Sequence, residues 1–470
     1  MWPVVVVGGG PAGLSAAITL ARANVRVLLV NRRTAASRAP RATALSLRTM
    51  ELLRSWRLEP PLRRGAAEVE WQMLIAPTLR EAARGTVVDV GYPTRAQSAL
   101  ISPTRPAAAP QHQLEAVLLA HLRCLPAATV QLGVALEHLD QGEQGVALGL
   151  RDLASGELDL TKARYVVAAD GVGSVTRGLL GIGTVETGDT AADRALSVVF
   201  RAPLWSRLGR HRYGIYSVEP PHAASFLPAG ADDRWTYALF GEAAGAEPTQ
   251  AQLVTRIRSA AGFPDLPVAV ESTSRFSFGT AIADRFRSGS VFLVGDAAHR
   301  VTPRGGTGLN AAVADGFDLG WKLSWVLRGW SPATLLDTYE AERRPVVEHN
   351  LARSQDPQGS RRSAGDEAAR DLGGRIAHHW LDPRRRVSTL DLIGDGLTHL
   401  VVDARRSGVH APPWYSGPIT PRSVGVDAAH VLALDPGRGL LVRPDGRPLG
   451  TSLPLIAGTS TTASALALAH

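Results

Sequence analysis

Three marked turns carry the residue types and spacings in this chain that could do chemistry. The first is Gly8-Gly9-Gly10-Pro11-Ala12-Gly13, with glycines in the order G-x-G-x-x-G. Gly8 permits a tight turn, Gly10 lets a diphosphate approach the backbone, and Gly13 lets a following helix pack closely. The second is Asp170-Gly171, followed by Ser174 and Arg177 in the order D-G-x-x-S-x-x-R. The third is Gly295-Asp296, followed by Pro303, the pair Gly305-Gly306, and Gly308-Leu309-Asn310. A carboxylate at a strand end can accept from a sugar hydroxyl. A glycine-rich turn at a helix start offers unpaired N–H groups and a positive dipole end to negative charge.

Each turn needs a strand before it and a helix after it, and the flanking residues supply both. Val4 to Val7 is a β-branched run of the kind found in parallel strands buried on both faces. Leu14 to Ala23 is helical in composition, and Val25 to Val30 forms a second β run. Tyr165 to Ala169 and Val291 to Val294 are the apolar strands that lead into the other two turns. One position departs from the dinucleotide pattern. The second strand ends in Asn31, next to Arg32, where an acidic residue usually accepts from the ribose. An amide oxygen still accepts one hydrogen bond but without charge assistance.

With these three motifs in order, the chain resembles the flavoprotein aromatic monooxygenases of the para-hydroxybenzoate hydroxylase type. Within that group it is most similar to the hydroxylases that tailor aromatic polyketides and related natural products. Supporting segments are Arg41-Ala42-Thr43 with the run Leu47 to Leu53, Gln111 with Leu114-Glu115, and Tyr339 to Pro345. The resemblance implies FAD held by Gly8, Gly10, Pro11, Ala12, Gly13, Asn31, Arg32, Arg41, Gln111, Asp170, Gly171, Gly295, Asp296, Gly306, Gly308, Leu309 and Asn310. It also implies a transient NADH or NADPH, O2, and transfer of one oxygen atom through a flavin C4a-hydroperoxide to an aromatic or polycyclic substrate. No protein acid or base is assigned to that chemistry, and His299 beside the third motif is expected to pack or support. Asp315 and Lys322 match the family's long helix after the third motif, with solvated helix charges as the alternative, while Trp321 and Trp325, four apart, read as core.

The expected architecture is α/β. A Rossmann-type FAD-binding domain (1–68, 105–188 and 279–353) carries an inserted β-rich substrate domain (69–104 and 189–278). A helix or linker (354–386) follows, then a short, degenerate thioredoxin-like C-terminal domain (387–470). Arg234 to Phe240 alternates, with Trp235, Tyr237 and Leu239 on one face. Trp235 and Tyr237, with Tyr216, Phe226 and Pro303, are the expected substrate walls. Cys124 is the only cysteine, so dithiol chemistry in the tail is excluded and a reducing compartment is expected.

The 470 residues carry a formal charge of +8, and all but two of the 51 basic residues are arginine. The arginines are scattered among carboxylates rather than gathered on one arm, which argues against a nucleic-acid partner. No apolar run reaches membrane-span length and no signal peptide is evident, so the expected place is the cytoplasm. A homodimer stays among the options. So do a flavin halogenase (whose tryptophan-rich motif is missing), a Baeyer–Villiger type oxygenation, and a ligand-binding protein that keeps the fold without turnover.

Overall fold

In this computed structural model, residues 1–35, 42–187, 194–241, 248–402, 411–434 and 439–449 are described. The described strands of the first layer run Arg287–Ser288, Val291–Leu293, Leu158–Ala168, Trp2–Val7, Val27–Asn31, Ala128–Leu132, in spatial order. The four pairings from Val291–Leu293 to Ala128–Leu132 are parallel, and Val4 to Val7 sit at the centre with both neighbours paired. An antiparallel pair, Val134–Gly142 and Gly145–Asp152, extends the edge of Leu158–Ala168.

Two helices pack together on one face of this sheet. Pro11–Arg22 begins with proline at its first position, where a missing N–H costs nothing. It lies against Gly308–Leu327 at backbone distance. A Cβ at Gly316 would come within 2.1 Å of the Ala12 carbonyl oxygen, and one at Gly320 within 2.8 Å of Thr19 Cβ. Residue numbers rise together along the contact, so the helices run parallel and both positive dipole ends face the same end of the sheet.

The second layer is a sheet in the order Ala269–Ser277, Arg194–Arg201, Arg234–Phe240, Ala224–Pro228, Tyr213–Val218, Glu70–Ala76, Thr86–Asp89. All its pairings are antiparallel except Tyr213–Val218 with Glu70–Ala76. One face is closed by the helices Leu204–Leu208 and Gln250–Ala261, which bury Leu204, Leu253, Ile257 and Ala260 against the sheet. The other face meets the first layer.

The C-terminal part forms a small sheet, Ile419–Ser423, Leu397–Val401, Leu440–Val442, with one parallel and one antiparallel pair. It is ionically tied to the first layer. Arg443 donates to both oxygens of Glu342 at 3.0 and 2.8 Å, and Lys322, fully enclosed, pairs with Asp318 at 2.7 Å. Lys322 is thus no solvated helix charge, and Trp321 and Trp325 are core, 3% and 0% exposed. The helix Ala364–Leu372 packs Ala368 and Leu372 on Leu47 and Ile101.

His378 gives this region a pH response. Its Nδ1 lies 2.7 Å from Ser388 Oγ and its ring meets Trp380 edge-on at 4.7 Å. Burial, then Arg375, pushes its pKa down to about 4. The folded value lies below the unfolded one of about 6.5, so this stability is full above pH 6.5 and lost toward pH 4. Tryptophan fluorescence should report loosening across that window. A His378→Gln chain should show a flatter profile, and an unchanged profile would refute the assignment. No helix among the described residues is long and apolar enough to cross a membrane.

Candidate functional site

The site is built at the end of the first sheet toward which both helix N-termini point. Gly8 stands at φ +113°, and a Cβ there would lie 2.1 Å from the Ala169 carbonyl oxygen. A Cβ on Gly13 would lie 1.9 Å from Gly8 O. These two glycines are required by the fold itself. Gly10 is different, because a Cβ there meets nothing within 4 Å. It begins the helix with no side-chain cap, so no side chain occupies the N–H groups of the first turn. That is a cradle for a diphosphate.

Beside it lies a crevice lined by Gly9, Asn31, Ala35, Glu115, Leu119 and Leu132, among others. Asn31 sits at the strand end against Gly9, and Arg32 is exposed. Gln111 opens the helix Gln111–Arg123 and its Nε2 donates to Glu115 at 2.7 Å. Arg41 lies outside the described residues. The cradle and this crevice fit the two halves of an ADP moiety, with Asn31 able to accept from a ribose hydroxyl.

Asp170 is engaged at the start of a helix, the N-cap kind of role that is the alternative to cofactor binding. Its Oδ1 accepts from Ser174 Oγ at 2.5 Å, and its Oδ2 from the Thr176 N–H and hydroxyl at 2.9 Å each. Ser174 in turn caps the helix Val175–Leu179. The part of this motif left open is the Gly171 backbone, at φ +83° with nothing near its Cβ position. Arg177 then reaches across to donate to the Ala297 carbonyl at 2.9 Å, so the second and third motifs are joined.

The third motif is anchored from below. Gly295, at φ +58°, packs against Ala12 and Ala312, and its N–H donates to Asp315 Oδ2 at 3.1 Å. Asp315 is fully buried, with His299 Nε2 at 2.6 Å and Arg343 Nε at 2.7 Å. Burial opposes its charge, but Arg343 and His299 prevail and hold its pKa down to about 2. Asp315 is therefore the hub under the Gly295-Asp296 turn, not a solvated charge. His299 has the supporting role expected of it, and Asp296 is exposed at the front.

Leu309 joins the core, and Asn310 is a buried clasp. Asn310 Oδ1 accepts from the Ser46 N–H and Thr49 hydroxyl, both at 2.8 Å. Its Nδ2 donates to the carbonyls of Ala44 and Gly306 at 3.0 and 3.1 Å. With its amide engaged on every side, Asn310 holds the turn rather than presenting a group to a ligand. Gly306, at φ +64°, also accepts from Tyr92, which reaches over from the second layer at 2.9 Å. Thr307 Oγ1, at the head of Gly308–Leu327, is shut from solvent without a partner among the described residues. Such an orphaned group at a helix N-terminus fits a bound flavin ring with negative charge on its pyrimidine side.

The aromatic walls lie elsewhere than expected. Trp235 stacks on Trp205 at 4.4 Å, Tyr216 on Trp235 at 5.8 Å, and Phe226 on Tyr237 at 5.1 Å. All four expected side chains are at most 2% exposed in the core beneath the covering helices. The Tyr216 hydroxyl is spent on the His211 carbonyl at 2.8 Å. Pro303 is exposed. Side chains alternate across a strand, so Arg234, Thr236 and Ala238 occupy the opposite face. Arg234 Nη1 meets His112 Nε2 of the first layer at 3.4 Å, which identifies that face as the one over the nucleotide-binding layer. Thr236 stands there between Val199 and Leu227, with Trp71 and Tyr92 stacked at 5.1 Å farther along the sheet.

A Rossmann-type layer with these turns, roofed by a β-sheet, defines a flavin-dependent oxidoreductase. Residues 1–354 match the family described as the FAD binding domain, FAD_binding_3. The chain belongs to that family, among its FAD-dependent monooxygenases, which draw electrons from NAD(P)H. It is 32% identical to tetracenomycin B2 monooxygenase-dioxygenase of Streptomyces olivaceus, over 94% of each chain. It is 35% identical to aklavinone 12-hydroxylase DnrF of Streptomyces peucetius, over 74% of this chain and 73% of that one. The structure of aklavinone-11 hydroxylase with FAD and aklavinone superposes with a TM-score of 0.78 at 28% identity, covering 99% and 98% of the two chains. The flavin-dependent monooxygenase PieE, with FAD and substrate, gives 0.80 at 25% identity and 95% of each chain.

Proposed function

We propose that this chain hydroxylates a polycyclic aromatic compound of the polyketide kind in the gap between its two sheets. The observation that carries the reading is a set of unpartnered polar groups where the second sheet meets the first layer. Trp71 Nε1, Thr236 Oγ1 and Thr307 Oγ1 are buried without partners among the described residues, with apolar side chains such as Val199 and Leu227 beside Thr236. A flat apolar molecule with a few oxygens satisfies both requirements. Bound FAD supplies the oxygen chemistry, taking two electrons from NAD(P)H so that one atom of O2 enters the substrate and the other leaves as water.

The chain's own residues bind, orient and exclude water. The Gly10 turn and the head of Gly308–Leu327 hold negative charge, and the Asp315 hub fixes the Gly295-Asp296 turn. The Gln111 and Asn31 segments seat the rest of the cofactor. In this reading 1–68, 105–188 and 279–353 carry the cofactor, while 69–104 and 189–278 roof the substrate. The C-terminal sheet takes the place of a thioredoxin-like domain and serves association or support. Small molecules rather than nucleic acid are its partners, and the cytoplasm is its place.

The purified protein should be yellow and oxidise NAD(P)H faster when a polycyclic phenol or quinone is added. With 18O2, one labelled atom should appear as a new ring hydroxyl. A colourless protein that ignores added FAD defeats the reading. A labelled atom inserted into a ring carbon–carbon bond replaces hydroxylation with Baeyer–Villiger oxygenation.

A further inference from the structure

We infer that His112 is a substrate-binding residue whose Nδ1–H donates a hydrogen bond to a quinone carbonyl or phenolic oxygen of the polycyclic substrate, an inference resting on the hydroxylase reading above. The argument begins with the ring's tautomer. An arginine guanidinium has only donors and stays charged. Arg234 Nη1 lies 3.4 Å from His112 Nε2, so Nε2 accepts and the proton of the neutral ring sits on Nδ1. Burial, and then Arg234, also holds the His112 pKa below its usual value, which keeps the ring neutral.

Arg234 is itself fixed, since its Nε donates to Glu271 Oε2 at 2.7 Å while Arg201 occupies Oε1 at 2.7 Å. The tautomer is thus set by a clamped partner. His112 Nδ1 is shut from solvent and has no acceptor among the described residues. A buried donor left unmade is costly, and one that a ligand completes discriminates strongly for an oxygen at that point. Thr236, two residues beyond Arg234 on the same face, has its hydroxyl in the same condition. One orphan from each layer therefore lies near the Arg234–His112 contact between the layers. The first is a donor of fixed sense, and the second can donate or accept. His112 follows Gln111, whose N–H is pinned to the Ala42 carbonyl at 2.7 Å, so the ring is presented from a rigid helix start.

The test uses FAD-loaded enzyme and 1,8-dihydroxyanthraquinone, with binding read from the flavin difference spectrum. His112→Gln can offer an oxygen to Arg234 but no donor at the Nδ1 position, whereas His112→Asn places an amide N–H near it. We expect H112N to bind within about threefold of the wild type and H112Q about tenfold more weakly, at equal FAD content, the scale of one hydrogen bond. H112Q binding as tightly as wild type overturns the inference, as do equal losses in both variants accompanied by lost FAD. A wild-type holoenzyme that holds FAD yet ignores the anthraquinone fails at the substrate class itself. That result removes the hydroxylase reading and this inference together, before any variant is compared.

Discussion

A Gly10→Glu chain should purify folded but colourless. Gly10 lies at φ −82°, ψ −177°, extended backbone open to any residue, with nothing near its Cβ position. The added side chain therefore costs the fold little, and the apo-protein should melt within about 2 °C of wild type. It does place a carboxylate where the first-turn N–H groups would receive a diphosphate. Repulsion together with lost backbone access should weaken FAD binding by about 100-fold or more, roughly 2.7 kcal/mol. Gly13→Ala should behave in the opposite way. Its Cβ would sit 1.9 Å from Gly8 O, so the turn itself must open. That protein should lose stability with or without FAD. Fluorimetric FAD titration beside apo-protein melting separates the two, and a yellow G10E protein would show that this turn does not seat the diphosphate.

The second large effect is expected at Asp315. Asp315→Asn leaves the buried Arg343 without its counter-charge and weakens the holds on His299 and the Gly295 N–H. Breaking a buried pair from one side costs about 3–5 kcal/mol. Replacing both partners, as Asp315→Leu with Arg343→Met, should recover part of that loss because no unpaired charge remains. Denaturant unfolding of the two single variants and the double variant measures the coupling, and purely additive losses would dissolve the hub. The pH dependence has a definite sign. The folded pKa of Asp315, about 2, lies below the usual carboxylate value, so its contribution is full above about pH 4 and fades only toward pH 2. Acid loosening near pH 5 must then come from elsewhere, His378 among the groups that contribute it.

Much of the nucleotide-binding layer was legible because its signals are local. A β-branched run, a glycine turn and a helix follow one another within some thirty residues, and each has a backbone reason to be there. Charge burial was harder to read. Asp315, Asp318 and Lys322 fall three and four apart on one stripe of Gly308–Leu327, the spacing of a solvated face, yet all three are buried because Glu342 and Arg343 of the run Tyr339 to Pro345 pair with them. That spacing alone points outward, and only the distant partners place Asp315 and Lys322 inside. The sheet posed a different problem. Alternation tells which of Trp235, Thr236 and Tyr237 share a face, but nothing local tells which face the helices cover. In Arg234–Phe240 and its two neighbours the large aromatics mark the helix-covered core, and smaller residues such as Thr236 and Val199 take the face toward the first layer. Asn310 and Tyr92 were out of reach because their partners lie more than two hundred residues away.

The arginine-rich composition also makes the molecule easy to mark. Lys322 is sealed between Asp318 and Glu342, while Lys162 stands exposed on the strand Leu158–Ala168. Cys124, the only thiol, is exposed at the end of Gln111–Arg123. Amine- and thiol-directed dyes thus have one accessible side-chain address each, both on the nucleotide-binding layer. A donor and acceptor placed there form a fixed spectroscopic ruler against which any movement of the roofing sheet or the C-terminal sheet could be measured with a third probe.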